Sequence, residues 1–68
     1  MNNILEGLDT AGKVKALMAV RGVNQTELSK TMGVSLGTVT NRFDKNDWEV
    51  SELRKIAAAY GVELTDLI

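Results

Sequence analysis

The side chains of this chain that can do chemistry are amides, hydroxyls and cations, and they gather in one stretch. Ser35, Thr38, Thr40, Asn41, Arg42, Lys45 and Asn46 fall within twelve consecutive positions. Such groups donate and accept hydrogen bonds and attract anions, but they make poor nucleophiles or general bases without a neighbour to activate them. The chain has no histidine and no cysteine, so thiolate metal sites and imidazole catalysis are excluded, and no inward-facing carboxylate pair is expected. Recognition is therefore the chemistry to look for, and neither a cofactor nor a metal is expected.

The residues before this stretch set its geometry. Thr31-Met32-Gly33-Val34-Ser35 follows an apolar-periodic segment and precedes a second, shorter one. Gly33 suits the left-handed residue that ends a helix, and Ser35 can cap the next by accepting from the N–H near Thr38. The spacing predicts two helices joined by a tight turn, with the second held out from the body. A helix presented in this way fits the major groove of DNA.

Five helical segments can be read. The first starts near Asp9 or Thr10 and ends at Gly22, with Val14, Leu17, Met18 and Arg21 spaced along an inner face. The second opens with Asn24-Gln25-Thr26-Glu27, a capping-box pattern, and pairs Leu28 with Met32. The third covers Leu36 to Phe43 with Val39 and Phe43 inward, leaving Leu36, Gly37, Thr38, Thr40, Asn41 and Arg42 outward. Asp44 to Asp47 reads as a loop. The fourth begins between Asp47 and Ser51 and turns Val50, Leu53, Ile56, Ala57 and Tyr60 inward before Gly61; a last turn runs from Leu64 to Ile68. The single Trp48 is expected to close the core beside Val50 and Phe43, with a partner contact as the other reading. Met1 to Leu8 offers Ile4, Leu5 and Leu8 but no cation, which suits an apolar turn or a subunit contact better than an arm around DNA.

Sixty-eight residues suffice for one small domain, residues 1–68, and 44% hydrophobic content fits a folded chain. No apolar run is longer than the five residues of Ile56 to Tyr60, far short of a membrane span, and no signal-peptide pattern opens the chain, so a cytoplasmic location is expected. The net charge of −1 opposes nucleic-acid binding. Its distribution softens the objection: from residue 46 onward there are five acids and two bases, whereas Lys13, Lys15, Arg21, Lys30, Arg42 and Lys45 precede them.

From Val23 to Ile68 the chain resembles the Cro/cI-type (XRE-like) helix-turn-helix family of phage and bacterial repressors. The resemblance rests on Val23-Asn24-Gln25-Thr26-Glu27-Leu28-Ser29, Gly33-Val34-Ser35, Thr38-Val39-Thr40, Ile56-Ala57, and Tyr60-Gly61-Val62 with Leu64 and Asp66-Leu67. It implies an all-α, compact five-helix bundle of the lambda-repressor-like type, with the helix-turn-helix formed by the second and third helices. It further implies a sequence-specific regulator, a Cro-like repressor binding double-stranded operator DNA as a homodimer. Gln25, with Thr26 beside it, would meet a phosphate at a helix N-terminus, where the dipole favours an anion. Base contacts would come from Leu36, Gly37 and Asn41; Asn41 can pair with adenine, and Leu36 or Thr38 can pack on a thymine methyl. Arg42, Lys45 and Asn46 would lie near phosphates or an adjacent guanine.

Two departures from the family are visible. Leu36 and Gly37 stand where many relatives carry long polar side chains, so that base reading either relies on close backbone approach or has been lost. Met18 and Phe43 stand where relatives commonly place an Arg–Glu ion pair, which makes Phe43 a core residue. A protein-interaction module on the same fold, of antitoxin or antirepressor type, is the alternative function. An enzyme is a remote third reading.

Overall fold

The computed structural model describes residues 8–68, which form four α-helices: α1 (Thr10–Arg21), α2 (Gln25–Met32), α3 (Leu36–Lys45) and α4 (Val50–Tyr60). A single 3-10 turn, Leu64–Asp66, takes the place of the expected fifth helix. The expectation for Met1 to Leu8 lies outside the described residues apart from Leu8, which is exposed. The class is all-α, as the sequence predicts.

Local chemistry places the helix starts. Asp9, Asn24 and Ser35 each accept the backbone N–H three residues on, from Gly12, Glu27 and Thr38, at 2.8, 2.8 and 3.1 Å. These caps satisfy donors that have no partner inside their helix. Only the forward half of the expected Asn24–Glu27 capping box forms. Gly33 ends α2 with φ +72°, a conformation that costs a residue with a Cβ about 1–2 kcal/mol.

α3 runs two residues past the expected Phe43, because Asn46 rather than the Asp44-Lys45 pair makes the turn. Asn46 adopts φ +52°, and its N–H bonds to the Arg42 carbonyl at 2.7 Å. Its side-chain oxygen then accepts two further bonds, from the Ala11 N–H at 2.9 Å and the Trp48 indole N–H at 3.1 Å. One residue thus ends α3 with its backbone, and with its side chain caps the first turn of α1 and orients Trp48.

The core consists of Val14, Leu28, Met32, Val39, Leu53, Ile56, Ala57 and Leu67, all buried, with Leu17, Met18, Val34, Phe43, Trp48 and Tyr60 packed around it. Trp48 meets Phe43 edge to face, with ring centroids 5.0 Å apart, as expected of a residue closing the core. The Lys15 ammonium stands 5.4 Å from the centre of the Phe43 ring.

Two residues expected inward are outside. Arg21, in the last turn of α1, is exposed. Val50 is 53% exposed, because Glu52 rather than Val50 turns inward, and residues two apart on a helix point about 200° apart. Leu67 of the last turn is fully core, whereas Ile68 is 60% exposed.

The role of Asn46 can be tested by two substitutions. Asn46→Gly keeps the left-handed turn but removes both side-chain bonds, and should destabilise the fold by roughly 1–2 kcal/mol in urea denaturation. Asn46→Ala should cost about 1 kcal/mol more, since alanine tolerates that backbone poorly. Equal losses for the two variants would show that the turn conformation carries no strain.

Candidate nucleic-acid interface

α2 and α3 are joined by a turn that leaves their relative orientation little freedom. The Gly33 and Val34 N–H groups bond to the Lys30 and Ser29 carbonyls at 3.2 and 3.0 Å. The Lys55 ammonium of α4 reaches the Met32 carbonyl at 3.4 Å, at the same turn. Met32 lies beneath the turn, 1% exposed. At the same end of α2, the Thr31 hydroxyl and the Tyr60 hydroxyl lie 2.9 Å apart, joining this helix to the end of α4.

α3 has one buried and one open side. Val39 is fully buried and Phe43 half-buried, while Leu36, Gly37, Thr40, Asn41, Asp44 and Lys45 are exposed. At 100° per residue those six span about half of the helix circumference. Gln25 and Thr26 are also exposed, in the first turn of α2. The structure therefore leaves both a face of α3 and the N-terminus of α2 open, on the two arms of one tight turn.

Several of the expected contact residues are already engaged within the protein. The Ser35 hydroxyl accepts from the Thr38 N–H and lies 2.9 Å from the Thr38 hydroxyl. The Thr40 hydroxyl donates back to the Leu36 carbonyl at 3.2 Å. Thr38 is half-buried. Asn46 has its amide oxygen held by Ala11 and Trp48, as described above. Gly37 has an ordinary helical backbone, and a Cβ built there would meet nothing nearer than the Ser35 hydroxyl oxygen at 3.9 Å. Nothing inside the protein requires a glycine at this position, although glycine costs a helix about 1 kcal/mol relative to alanine.

Arg42 is the main departure from the outward set. Its Nε and Nη2 donate to the two carboxylate oxygens of Glu52 at 2.9 and 3.0 Å, a bidentate pair between α3 and α4. The arginine side chain is 20% exposed and that of Glu52 5%. Glu52 also accepts the Glu49 N–H at 3.1 Å, so the same carboxylate caps α4. The hydrogen bonds from Arg42, then that from the Glu49 backbone, hold the Glu52 carboxyl below its usual range, against the opposing effect of burial. The Arg42 guanidinium is raised further by its bond to Glu52.

Sequence reasoning missed Glu52 and Asp44. Glu52 had a readable signal: it sits three residues after Glu49 where a polar loop gives way to an apolar stripe, the spacing at which an N3 carboxylate returns to an N-cap N–H. The sequence assigns Asp44 to a loop, whereas the longer α3 puts it on the exposed side beside Lys45. Among the described residues there is no group of three or more His, Cys, Asp or Glu arranged to hold a metal, and no helix is long and apolar enough to cross a membrane.

A family model for the Cro/C1-type HTH DNA-binding domain matches residues 13–68, which takes in most of α1 and everything after it. The chain belongs to that family. Neither the curated proteins nor the solved structures compared with it gave a match. In this Cro/C1-type domain α2 and α3 are the helix-turn-helix, and the chain is a DNA-binding regulator by family.

The Arg42–Glu52 pair makes stability depend on acid. Because the folded-state pKa of Glu52 is lowered, its contribution is present above the ordinary carboxylate range and is lost as pH falls through the lowered value. The urea midpoint should fall on acidification below about pH 4.5, the ordinary carboxylate value. Glu52→Gln should lower the midpoint at neutral pH and make the acid limb shallower. An acid limb of unchanged steepness in the variant would remove Glu52 from this role.

Proposed function

We propose that this Cro/C1-type domain is a sequence-specific transcriptional regulator, a Cro-like repressor of phage or prophage kind, acting in the cytoplasm on palindromic operator DNA as a homodimer. The observation that carries the reading is the α3 face from Leu36 to Asn41. It is open to solvent, mounted on the buried Val39 and held from behind by α2 and α4. The N-terminal residues of such a helix reach base edges while the preceding helix meets the backbone.

Within that reading the residues divide by what they can still offer. Asn41 makes no side-chain hydrogen bond among the described residues, so both groups of its amide are available to an adenine edge. Gln25 and Thr26, at the N-terminus of α2, suit a phosphate. Lys45 is an exposed cation one turn beyond Asn41 and suits the backbone charge. Ser35, Thr38 and Thr40 act first as internal caps and bonds, and Arg42 and Asn46 as ties to α4 and α1; their part in binding is to hold α3 in place. A homodimer suits the small surface of one short helix, with half-sites about 34 Å apart. Ala58 and Ala59 at the end of α4, together with Ile68, offer exposed apolar surface for it.

The withdrawal of Arg42 into an internal pair, together with the net charge of −1, favours a second reading as a protein-interaction module. A gel-shift titration in salt with DNA selected from a random pool separates the two. A regulator loses affinity on a log–log line whose slope is about −0.9 per phosphate neutralised. An interaction module binds no DNA even at low salt. For the regulator, Asn41→Ala should erase preference at one base position at a cost of about 1–3 kcal/mol, and Lys45→Ala should weaken all sequences alike and reduce the slope by about 1. Equal losses on every sequence for both variants would contradict the assignment of Asn41.

A further inference from the structure

The hydrogen bonds inside α3 restrict what its open face can read. Guanine is most often read by an arginine or lysine pairing with O6 and N7. The one arginine on α3 has its Nε and Nη2 donating to Glu52, and the pair is largely buried. The one lysine, Lys45, is nine residues and about 13 Å along the axis from Leu36, beyond the end that enters a groove. Beside it Asp44, another acceptor, would repel the acceptor edge of guanine. The hydroxyls of Ser35, Thr38 and Thr40 are already bonded to each other or to the helix backbone, and the donor and lone pairs they have left confer no preference for guanine.

What remains at the leading end to discriminate between bases is apolar surface and one amide. Leu36 is 47% exposed in the first turn. Gly37 beside it presents bare backbone with no internal reason to be glycine. Thr40 is exposed on the same side, and with its hydroxyl bonded to the Leu36 carbonyl it also carries a methyl group. Asn41 adds the donor-and-acceptor pair that matches the N6 and N7 of adenine. On a duplex, the complement of this surface is the N6 and N7 edge of adenine and the C5-methyl groups of thymine.

We infer that α3 reads A·T pairs, with Leu36 and the Thr40 methyl seated on thymine C5-methyl groups and Asn41 on an adenine. The inference rests on the DNA-binding reading above and names the base chemistry that the reading leaves open.

The first part of the test uses the unaltered protein. Bound sequences are selected from a random duplex pool, and the best site is then remade with deoxyuridine in place of single thymidines, which removes only the methyl group. Selected half-sites should carry A·T pairs under α3, and removing a contacted methyl should weaken binding about threefold to tenfold, near the effect of burying one methyl or methylene. In Leu36→Ala, checked for unchanged helix content by circular dichroism, at least one of these deoxyuridine effects should vanish. Sites with G·C under α3, or affinity indifferent to every thymine methyl, would overturn the inference while leaving DNA binding intact. Absence of salt-sensitive binding to any duplex would overturn the DNA-binding reading itself.

Discussion

The carboxylate of Glu52 is the constraint on which the arrangement turns. It is 5% exposed, so its charge needs partners, and it has three: two guanidinium N–H groups of Arg42 and the Glu49 N–H. A buried charge in this state is costly to leave unpaired, which makes the pair a strong determinant of geometry even where its net contribution to stability is small. It fixes the middle of α3 against the start of α4. It also turns Glu52 inward, which moves Val50 out to solvent.

Asn46 does for the far end of α3 what Glu52 does for its middle. The helix is thus held to α4 by Arg42, to α1 by Asn46, to α2 by the Gly33 turn, and to the core by Val39. Preorganisation of this kind lowers the ordering cost of binding. Each hydrogen bond that fixes α3 also leaves fewer donors and acceptors for a duplex. The rigid helix that results reads with apolar surface, bare backbone and Asn41.

Much of this was legible in the sequence because it is local. The caps at Asp9, Asn24 and Ser35, the turn at Gly33, and the inward Val39 and Phe43 depend on residues within one or two helical turns of each other. What escaped was set by pairs distant in the chain or by which residue ends a helix. Arg42 looks like an outward cation until Glu52, ten positions away, is known to be buried. Asn46 looks like a loop residue, and its bond to Ala11 spans thirty-five positions. The longer α3 followed from Asn46, a weaker turn signal than glycine, and with it came Asp44 on the open face.

The central claim is that α3 binds with its Leu36–Asn41 face while Arg42 stays locked to Glu52. Nitrogen–proton NMR spectra during titration with a selected duplex observe both at once. The account predicts that the backbone signals of Leu36, Gly37, Thr40 and Asn41 and the Asn41 side-chain amide signals move, with those of Gln25, while the Arg42 Nε–H signal keeps its position. Shifts concentrated on Val20, Val50 or Ile68, or an Arg42 Nε–H signal that moves as if released from its carboxylate, would contradict it.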